Sequence, residues 1–253
     1  MNLNVFGAVL GFVIPTITLG LISVFFVRSY LIFPKLSLFN KDIFRDIFHF
    51  GFYIVLGNSI GYLYTHIDSL MTGYYLNEAE VGIYAVAIIL VQGITLIPSA
   101  VQNVIRPVIA KYHSKKEYKS IVKLLKDTTS KIFIISLLVS LFLMMFGKTL
   151  ILTIFGEVFL TSYHPLIILL IGYTIYSAFM SIGTFYASIG HVQIYYKTSL
   201  FSAILNIVLN TICIPKYGII GAAMATSTSL IVLTFVHYII IGSFIKKEFK
   251  LAL

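Results

Sequence analysis

Long apolar runs alternate along the chain with short breaks rich in polar residues, glycine or proline. A helix needs about 20 apolar residues to cross a hydrocarbon core about 30 Å thick. The runs are too long and continuous for barrel strands, so helices are the only viable spanning form. The pattern predicts an all-α polytopic membrane protein with about seven transmembrane helices, at residues 5–27, 50–76, 82–109, 132–146, 165–188, 198–213 and 219–241.

Composition narrows the function classes. Only 11% of the 253 residues are charged, whereas a soluble domain has about 25%, which excludes a soluble enzyme and a soluble nucleic-acid-binding protein. The single cysteine, Cys213, excludes a disulfide framework and a multi-thiolate metal site. The six histidines are scattered, without a nucleophile motif or a phosphate-binding loop beside them. We therefore expect no enzymatic activity, no metal and no cofactor.

The basic residues predict an orientation, because lysine and arginine collect in cytoplasmic loops. If the first helix runs from outside to inside, all of the 18 basic residues except Lys148 and Lys216 lie on the cytoplasmic side. The prediction is an N-terminus outside and a C-terminus in the cytoplasm. The net charge of +9 then reflects membrane topology, and no nucleic-acid partner is needed to explain it.

Two cytoplasmic segments, residues 39–50 and 114–129, are amphipathic. Their apolar residues fall on one side of a helix and their charged residues on the other. Such helices lie in the headgroup plane and bind anionic lipids. Membrane lipids are therefore predicted partners, and the segments either anchor the topology or also hold an anionic lipid substrate.

A polar stripe follows the second predicted helix. Asn58, Thr65, Asp68 and Thr72 fall within an arc of about 100° at 100° per residue. Polar groups at membrane depth usually face a bundle interior or a cavity, so these residues are predicted to line a cavity. Asp68 would bind a proton, a cation or a sugar hydroxyl, or else be satisfied by a neighbouring helix. His66 lies about 160° around the helix from Asp68, which excludes it as a partner and favours a hydrogen-bonded packing role.

The last two predicted helices carry further polar and small residues. Asn206 and Asn210 share one face well inside the sixth span, where they either line the cavity or form interhelical hydrogen bonds. In the seventh span, small residues recur at four-residue spacing, which favours close helix packing. These small residues are Gly218, Ala222 and Thr226 on one ridge and Gly221, Ala225 and Ser229 on the next.

Three stretches resemble bacterial polysaccharide and oligosaccharide flippases of the O-antigen type, which belong to the multidrug/oligosaccharidyl-lipid/polysaccharide exporters. Residues 68–84 read DSLMTGYYLNEAEVGIY, similar to the family's acidic residue followed by a loop ending in E-V-G-x-Y. Residues 97–107 read IPSAVQNVIRP, and residues 206–226 read NIVLNTICIPKYGIIGAAMAT. The last stretch is the most specific.

The resemblance implies that an undecaprenyl-pyrophosphate-linked oligosaccharide is moved across the bacterial inner membrane, between two six-helix lobes that alternate access. Seven helices correspond to the C-terminal half of such a protein. Residues 1–38 would hold the last helix of the first lobe and a linker, and residues 39–253 the second lobe. A separate N-terminal lobe chain or a second copy would be the protein partner.

Flippases of this class are expected to present cations to the pyrophosphate. The candidates for binding this anionic headgroup are Arg28, Arg106 and Lys111, all predicted near the cytoplasmic boundary. Alternative functions are a cation-coupled drug exporter of the same superfamily, a seven-helix receptor, and a membrane glycosyltransferase or acyltransferase. The glycan, the coupling ion, the oligomeric state and the completeness of the chain do not follow from the sequence.

Overall fold

The structure, a computed structural model, describes residues 4–28 and 41–248, which form helices joined by short turns. Two short 3₁₀ segments, Gly93–Thr95 and Glu157–Ser162, connect longer helices. The helices are α1 (Asn4–Val27), α2 (Lys41–Tyr75), α3 (Glu78–Gln92), α4 (Leu96–Ser114), α5 (Tyr118–Ile154), α6 (Tyr163–Ser188) and α7 (Val192–Glu248).

Length and apolar composition make this a multi-pass membrane protein. Within the described residues, four helical stretches are long and apolar enough to cross a membrane, besides the shorter apolar helix Val13–Val27. The predicted all-α polytopic fold is therefore confirmed. The four stretches are Glu78–Ser114, Tyr118–Ile154, Glu157–Ser188 and Val192–Lys247.

The chain divides into two compact units, Met1–Phe48 and His49–Leu253. In the first unit, α1 is a 24-residue helix with Pro15 inside it. The hydroxyl group of Ser23 donates to the carbonyl oxygen of Leu19, one turn earlier, at 2.8 Å. The assignment of residues 1–38 and 39–253 to two different lobes stays a prediction.

Helix α7 is a helical hairpin. A straight helix of its 57 residues would be about 85 Å long, far more than one membrane crossing. Gly218 interrupts it with non-helical angles, φ 60° and ψ −141°. The helical segments before and after this turn are joined by a hydrogen bond, in which the hydroxyl of Ser202 donates to the carbonyl of Ser229 at 3.3 Å. The break predicted between residues 213 and 219 is confirmed, and it separates a first arm (residues 192–217) from a second arm (residues 219–248).

Glycine permits two close approaches around this hairpin. A Cβ atom on Gly221 would lie 2.2 Å from the carbonyl oxygen of Cys213, so only glycine fits where the second arm leaves the turn. A Cβ atom on Gly172 of α6 would lie 2.5 Å from the Cα atom of Ser227. These contacts press the second arm against the first arm and against α6, and they confirm the close packing predicted from small residues.

The third predicted span is divided in a way that the sequence analysis did not anticipate. The interruption is the 3₁₀ segment Gly93–Thr95. Pro98 lies in the first turn of α4. Backbone N–H groups in a first turn have no intrahelical partner, so the N–H that proline lacks costs the helix no hydrogen bond. Pro98 therefore follows the break and does not cause it.

Neither of the two predicted in-plane helices is a separate element. Residues 41–50 belong to the continuous helix α2, while Phe39 and Asn40 lie outside the described residues. Residues 118–129 form the beginning of the 37-residue helix α5, in which Ile121 and Leu125 are buried. The apolar side of this segment packs in the protein interior and not among lipid headgroups, because α4, α6 and α7 offer it an apolar surface.

Two apolar clusters make up the interior of the second unit. The first includes Tyr84, Leu166 and Ile214, and the second includes Ile121 and Phe185. Between them, α5 and α6 meet through hydroxyl pairs: the Ser177 hydroxyl donates to that of Ser136 at 2.8 Å, and Ser140 pairs with Thr174. A polar layer thus divides the core and positions α6 in the middle of the bundle.

Candidate functional site

Asp68 is buried at the centre of a hydrogen-bonded cluster, with 2% of its surface exposed. It lies in the second half of α2, within one turn of the buried Thr72. A carboxylate in such surroundings needs donors, because an unpaired buried charge is very costly. Its neighbours from three helical segments supply them.

Four donors surround the carboxylate of Asp68. At Oδ1, the Nδ2 atoms of Asn210 and Asn206 donate at 2.6 Å and 3.2 Å. At Oδ2, the Tyr84 hydroxyl donates at 3.2 Å, and the Thr226 hydroxyl donates as well. The two carboxylate oxygens are therefore both satisfied by neutral groups.

The donors also bond to one another. Nδ2 of Asn210 donates to Oδ1 of Asn206 at 3.1 Å, and Nδ2 of Asn206 donates to the Thr226 hydroxyl at 3.1 Å. Asn206 and Asn210 are four residues apart, so they share one face of the first arm. The hairpin turn brings Thr226 of the second arm opposite that face. We call Asp68, Tyr84, Asn206, Asn210 and Thr226 the Asp68 cluster.

Two buried oxygens beside this network have no partner among the described residues: Oδ1 of Asn210 and the hydroxyl of Thr72. Turning either asparagine amide over would present its oxygen to the carboxylate. A carboxylate with neutral oxygens around it can hold a proton or a small hard cation, which prefers oxygen ligands. No group of three or more His, Cys, Asp or Glu residues that could hold a metal occurs in the described ranges.

The structure brings together four of the six predicted cavity-lining residues. Asp68, Thr72, Asn206 and Asn210 are all buried, so they form part of a closed interior in this conformation. That they line a transport cavity stays a prediction. Asn58 and Thr65 belong to α2, but their side chains lie outside the described part of the structure.

Tyr84 and Thr226 donate hydrogen bonds to Asp68 and were not predicted from the sequence. Tyr84 ends the E-V-G-x-Y stretch, and Thr226 stands on the ridge of small residues, so both were visible in motifs but had no assigned chemistry. His66 is exposed, and its ring packs on that of Tyr62 at 4.4 Å. The hydrogen-bonded packing role of His66 stays a prediction, and His66 is not among the residues that bond to Asp68 in the described part of the chain.

The three cationic candidates occupy different surroundings. Arg28, in the first unit, lies 4.4 Å from the ring centroid of Phe25. Lys111 is exposed in the last turn of α4. Arg106 lines a cavity of about 220 Å³, which we call the Arg106 cavity. Its other lining residues are Ile54, Gln102, Tyr176, Met180, Gly183, Thr184, Ala187, Val192 and Tyr195.

Known proteins resemble this chain over most of its length. It is 27% identical over 206 residues to the probable low-salt glycan biosynthesis flippase Agl15 of Haloferax volcanii, covering 81% of this chain and 44% of that protein. It is 28% identical over 205 residues to the uncharacterized membrane protein MJ1068 of Methanocaldococcus jannaschii, covering 77% and 39%. It is 27% identical over 206 residues to the capsular polysaccharide biosynthesis protein CapF of Staphylococcus aureus, covering 79% and 51%.

The chain thus spans about half the length, or less, of the curated relatives it matches. No solved structure matches it. A family model described as polysaccharide biosynthesis protein matches residues 2–164, well over half of the chain. This match bears out the resemblance to polysaccharide flippases and the expectation of a protein that is not an enzyme. The chain belongs to the polysaccharide biosynthesis protein family.

Proposed function

We propose that this chain is one lobe of a flippase that moves a lipid-linked oligosaccharide across a membrane during polysaccharide biosynthesis. The observation that carries the proposal is the alignment of 206 residues with a relative named as a glycan biosynthesis flippase. The all-helical, multi-pass fold agrees with transport. In the finer form of the proposal, the lipid carrier is undecaprenyl pyrophosphate and the membrane is the bacterial inner membrane.

The proposed working unit contains a second lobe. Because the chain spans about half of its relatives' length, the other wall of the transport cavity is proposed to come from a separate N-terminal lobe chain or from a second copy. The proposed orientation keeps the N-terminus outside and the C-terminus in the cytoplasm, and it rests on the distribution of basic residues. This orientation places the Arg106 end of α4 on the cytoplasmic side, from which the substrate enters.

The Asp68 cluster is proposed to be the ion-dependent element of the transporter. Its carboxylate bonds to α3 and to both arms of α7 at once. When a proton or a small cation binds to Asp68, the carboxyl group accepts hydrogen bonds from fewer of these donors. The contacts that join α2 to α3 and to α7 then change. A ligand shifts a conformational equilibrium only by binding the two states differently, and this rearrangement provides such a difference.

A complementation experiment in a flippase-deficient bacterial strain tests the proposal. Surface polysaccharide is measured in cells that carry the chain together with the N-terminal lobe of a relative, the chain alone, that N-terminal lobe alone, or an empty vector. The proposal expects export from the two-lobe combination and none from either lobe alone. Membrane levels of every chain are compared by immunoblot. No export from well-inserted pairs of lobes contradicts the flippase assignment, and full export by the chain alone contradicts the need for a separate lobe.

The role of Asp68 is tested in the same strain with Asp68→Asn, which keeps the shape and removes the charge. Ser181→Ala is the matched control, because Ser181 of α6 is buried outside the Asp68 cluster and its hydroxyl has no partner among the described residues. We expect the Asn variant to insert normally and to lose most export, while the Ala variant at Ser181 keeps it. Equal export by both variants would leave Asp68 with a structural role.

A further inference from the structure

Helix α5 continues well past the part of it that can lie in the membrane. Its apolar part, residues 132–154, is about 34 Å long, enough to cross a hydrocarbon core about 30 Å thick. Residues 118–131, which we call the α5 extension, add about 21 Å to the same helix without a proline or glycine. The extension carries five charged residues, which are costly in a bilayer core. We therefore expect it to lie outside the hydrocarbon.

One side of the α5 extension is fixed to the rest of the bundle. Ile121 and Leu125 are buried. They belong to an apolar cluster with Ile109 of α4, Phe185 of α6 and Ile245 of α7. Because this side packs on three other helices, the opposite side faces the solvent in one fixed orientation.

The solvent side of the extension is lined by lysines. Lys119, Lys123 and Lys126 are all exposed, and they fall within an arc of about 60° at 100° per residue. They follow one another at about 6 Å and 4.5 Å along the helix axis. We call these three residues the lysine ridge. No ion pair joins the ridge to another of the described residues, and Asp127, the acidic residue of the extension, balances at most one of its three charges.

The lysine ridge rises too far from the membrane for lipid headgroups to cover it. Lys126, Lys123 and Lys119 lie about 9, 14 and 20 Å beyond residue 132 along the helix axis. The headgroup layer is roughly 5–8 Å thick on each side of a bilayer, and charges are screened over about 8 Å at physiological salt. Headgroups can therefore reach Lys126, but Lys119 lies beyond their range.

Other segments of this chain do not match the charge of the ridge. Residues 29–40 and 249–253, which lie outside the described ranges, contain no Asp or Glu. Residues 41–50 contain two acidic and two basic residues. A second copy of the chain would bring a second lysine ridge, and like charges repel. The ridge is therefore complementary to an acidic surface on a different protein.

We propose that the lysine ridge docks an acidic helix of another protein, in which Glu or Asp residues recur at alternating three- and four-residue spacing. Two helices that pack side by side have the same rise per residue, so three lysines can meet three carboxylates in one register. An exposed ion pair contributes a factor of only about 1.5 to 5 in affinity, so the contact is weak and reversible. In the proposed orientation the ridge faces the cytoplasm. The proposal does not depend on which substrate is transported.

The test is binding of a fluorescent acidic peptide to the purified chain in phosphatidylcholine nanodiscs, measured by fluorescence anisotropy at low salt. The patterned peptide is an alanine-rich helix with Glu at alternating three- and four-residue spacing. The scrambled peptide has the same composition, but its Glu residues are spread around the helix. We expect the patterned peptide to bind about fivefold more tightly, because it can form two additional ion pairs at once. Binding should be lost near 1 M salt, where the screening length falls to about 3 Å.

Variants of the ridge locate the binding site. The ridge variant, which carries Lys119→Gln, Lys123→Gln and Lys126→Gln, should bind the patterned peptide about tenfold more weakly, as expected for the loss of three exposed ion pairs. A charge-swap variant carries Lys119→Glu, Lys123→Glu and Lys126→Glu. It should bind a patterned peptide in which Lys replaces Glu.

A control variant removes the same amount of charge elsewhere on the molecule. It carries Lys197→Gln, Lys246→Gln and Lys247→Gln, all at exposed positions of α7. We expect it to bind the patterned peptide like the wild type. Equal affinity for the patterned and scrambled peptides, or an equal loss in the ridge and control variants, would indicate unspecific charge attraction and overturn the proposal.

The membrane is the alternative occupant of the ridge. Native mass spectrometry of the ridge and control variants in nanodiscs that contain phosphatidylglycerol measures how much of this anionic lipid each variant retains. We expect equal retention by the two variants. A loss of phosphatidylglycerol from the ridge variant alone would assign the ridge to lipid headgroups and overturn the proposal.

Discussion

Asp68 shows how a single buried residue organises its surroundings. In the part of the chain that the structure describes, its carboxylate is balanced by four neutral donors, and no basic side chain bonds to it. Removing an acceptor from such a network costs about 1–3 kcal/mol for each donor that keeps no other partner. The stability of the lobe should therefore depend strongly on this one side chain.

The first prediction compares Asp68→Ala with Thr72→Val. The alanine variant removes the acceptor of the Tyr84 hydroxyl and one of the two acceptors of the Asn206 and Asn210 amides, so we expect it to lower the free energy of unfolding by at least about 2 kcal/mol. The valine variant removes a buried hydroxyl that has no partner among the described residues and should be neutral or slightly stabilising. Thermal unfolding of the purified chain in detergent measures both. Equal midpoints would mean that the cluster contributes nothing to stability.

Part of this site could be predicted at the residue scale. Helical periodicity placed Asp68 and Thr72 on one polar stripe and Asn206 and Asn210 on another, and these four side chains are buried. That they line a cavity stays a prediction. That the two stripes meet could not be predicted, because periodicity describes one helix at a time. Tyr84 and Thr226 were missed for the same reason: their role depends on which helices become neighbours.

Helix α5 is the element for which the sequence analysis was most misleading. No glycine or proline separates residues 118–131 from the apolar run that follows, so the helix propagates through both. An apolar stripe opposite lysines looks the same whether it faces lipid or protein. Here Ile121 and Leu125 join the second apolar cluster, with Ile109 and Phe185.

The second prediction tests this packing with Ile121→Ala. Because Ile121 is fully buried, its truncation should lower the free energy of unfolding by about 2–4 kcal/mol. Lys123→Ala, two residues further on the exposed side, should change it by less than about 0.5 kcal/mol. Chemical unfolding in detergent gives both values. Unchanged stability of Ile121→Ala, together with weaker binding to anionic vesicles, would support an in-plane helix instead.

At the scale of the whole molecule, the sequence predicted the broad architecture well. The helical class, the multi-pass character and the hairpin in α7 follow from apolar run length and from the Pro215–Gly218 break. Run length alone could not give the bounds of α5, because its polar first turns and its apolar remainder form one helix.

The third prediction concerns topology. Lys119 and Lys148 are 29 residues apart on α5, about 44 Å along the helix, so we expect them on opposite sides of a core about 30 Å thick. Reporter fusions at Lys119 and after Lys250 should report the cytoplasm, and fusions at Glu80 and Lys148 the outside. Lys250 itself lies outside the described residues. A cytoplasmic signal at Glu80 would contradict the proposed direction of α2.

The order of synthesis gives the Asp68 cluster a consequence for membrane insertion. Tyr84 follows Asp68 by only 16 residues, but Asn206 and Thr226 follow by 138 and 158. Protein synthesis adds about 5–20 residues per second. The α7 hairpin is therefore completed roughly 7 to 30 s after Asp68 has been added to the chain. A lone Asp costs up to about 2.5–3.5 kcal/mol on insertion, the value that applies at the centre of a spanning helix. Until the hairpin arrives, Tyr84 is the donor from α3 that can hold this carboxylate in the nascent protein, so α2 and α3 should leave the translocon as a pair.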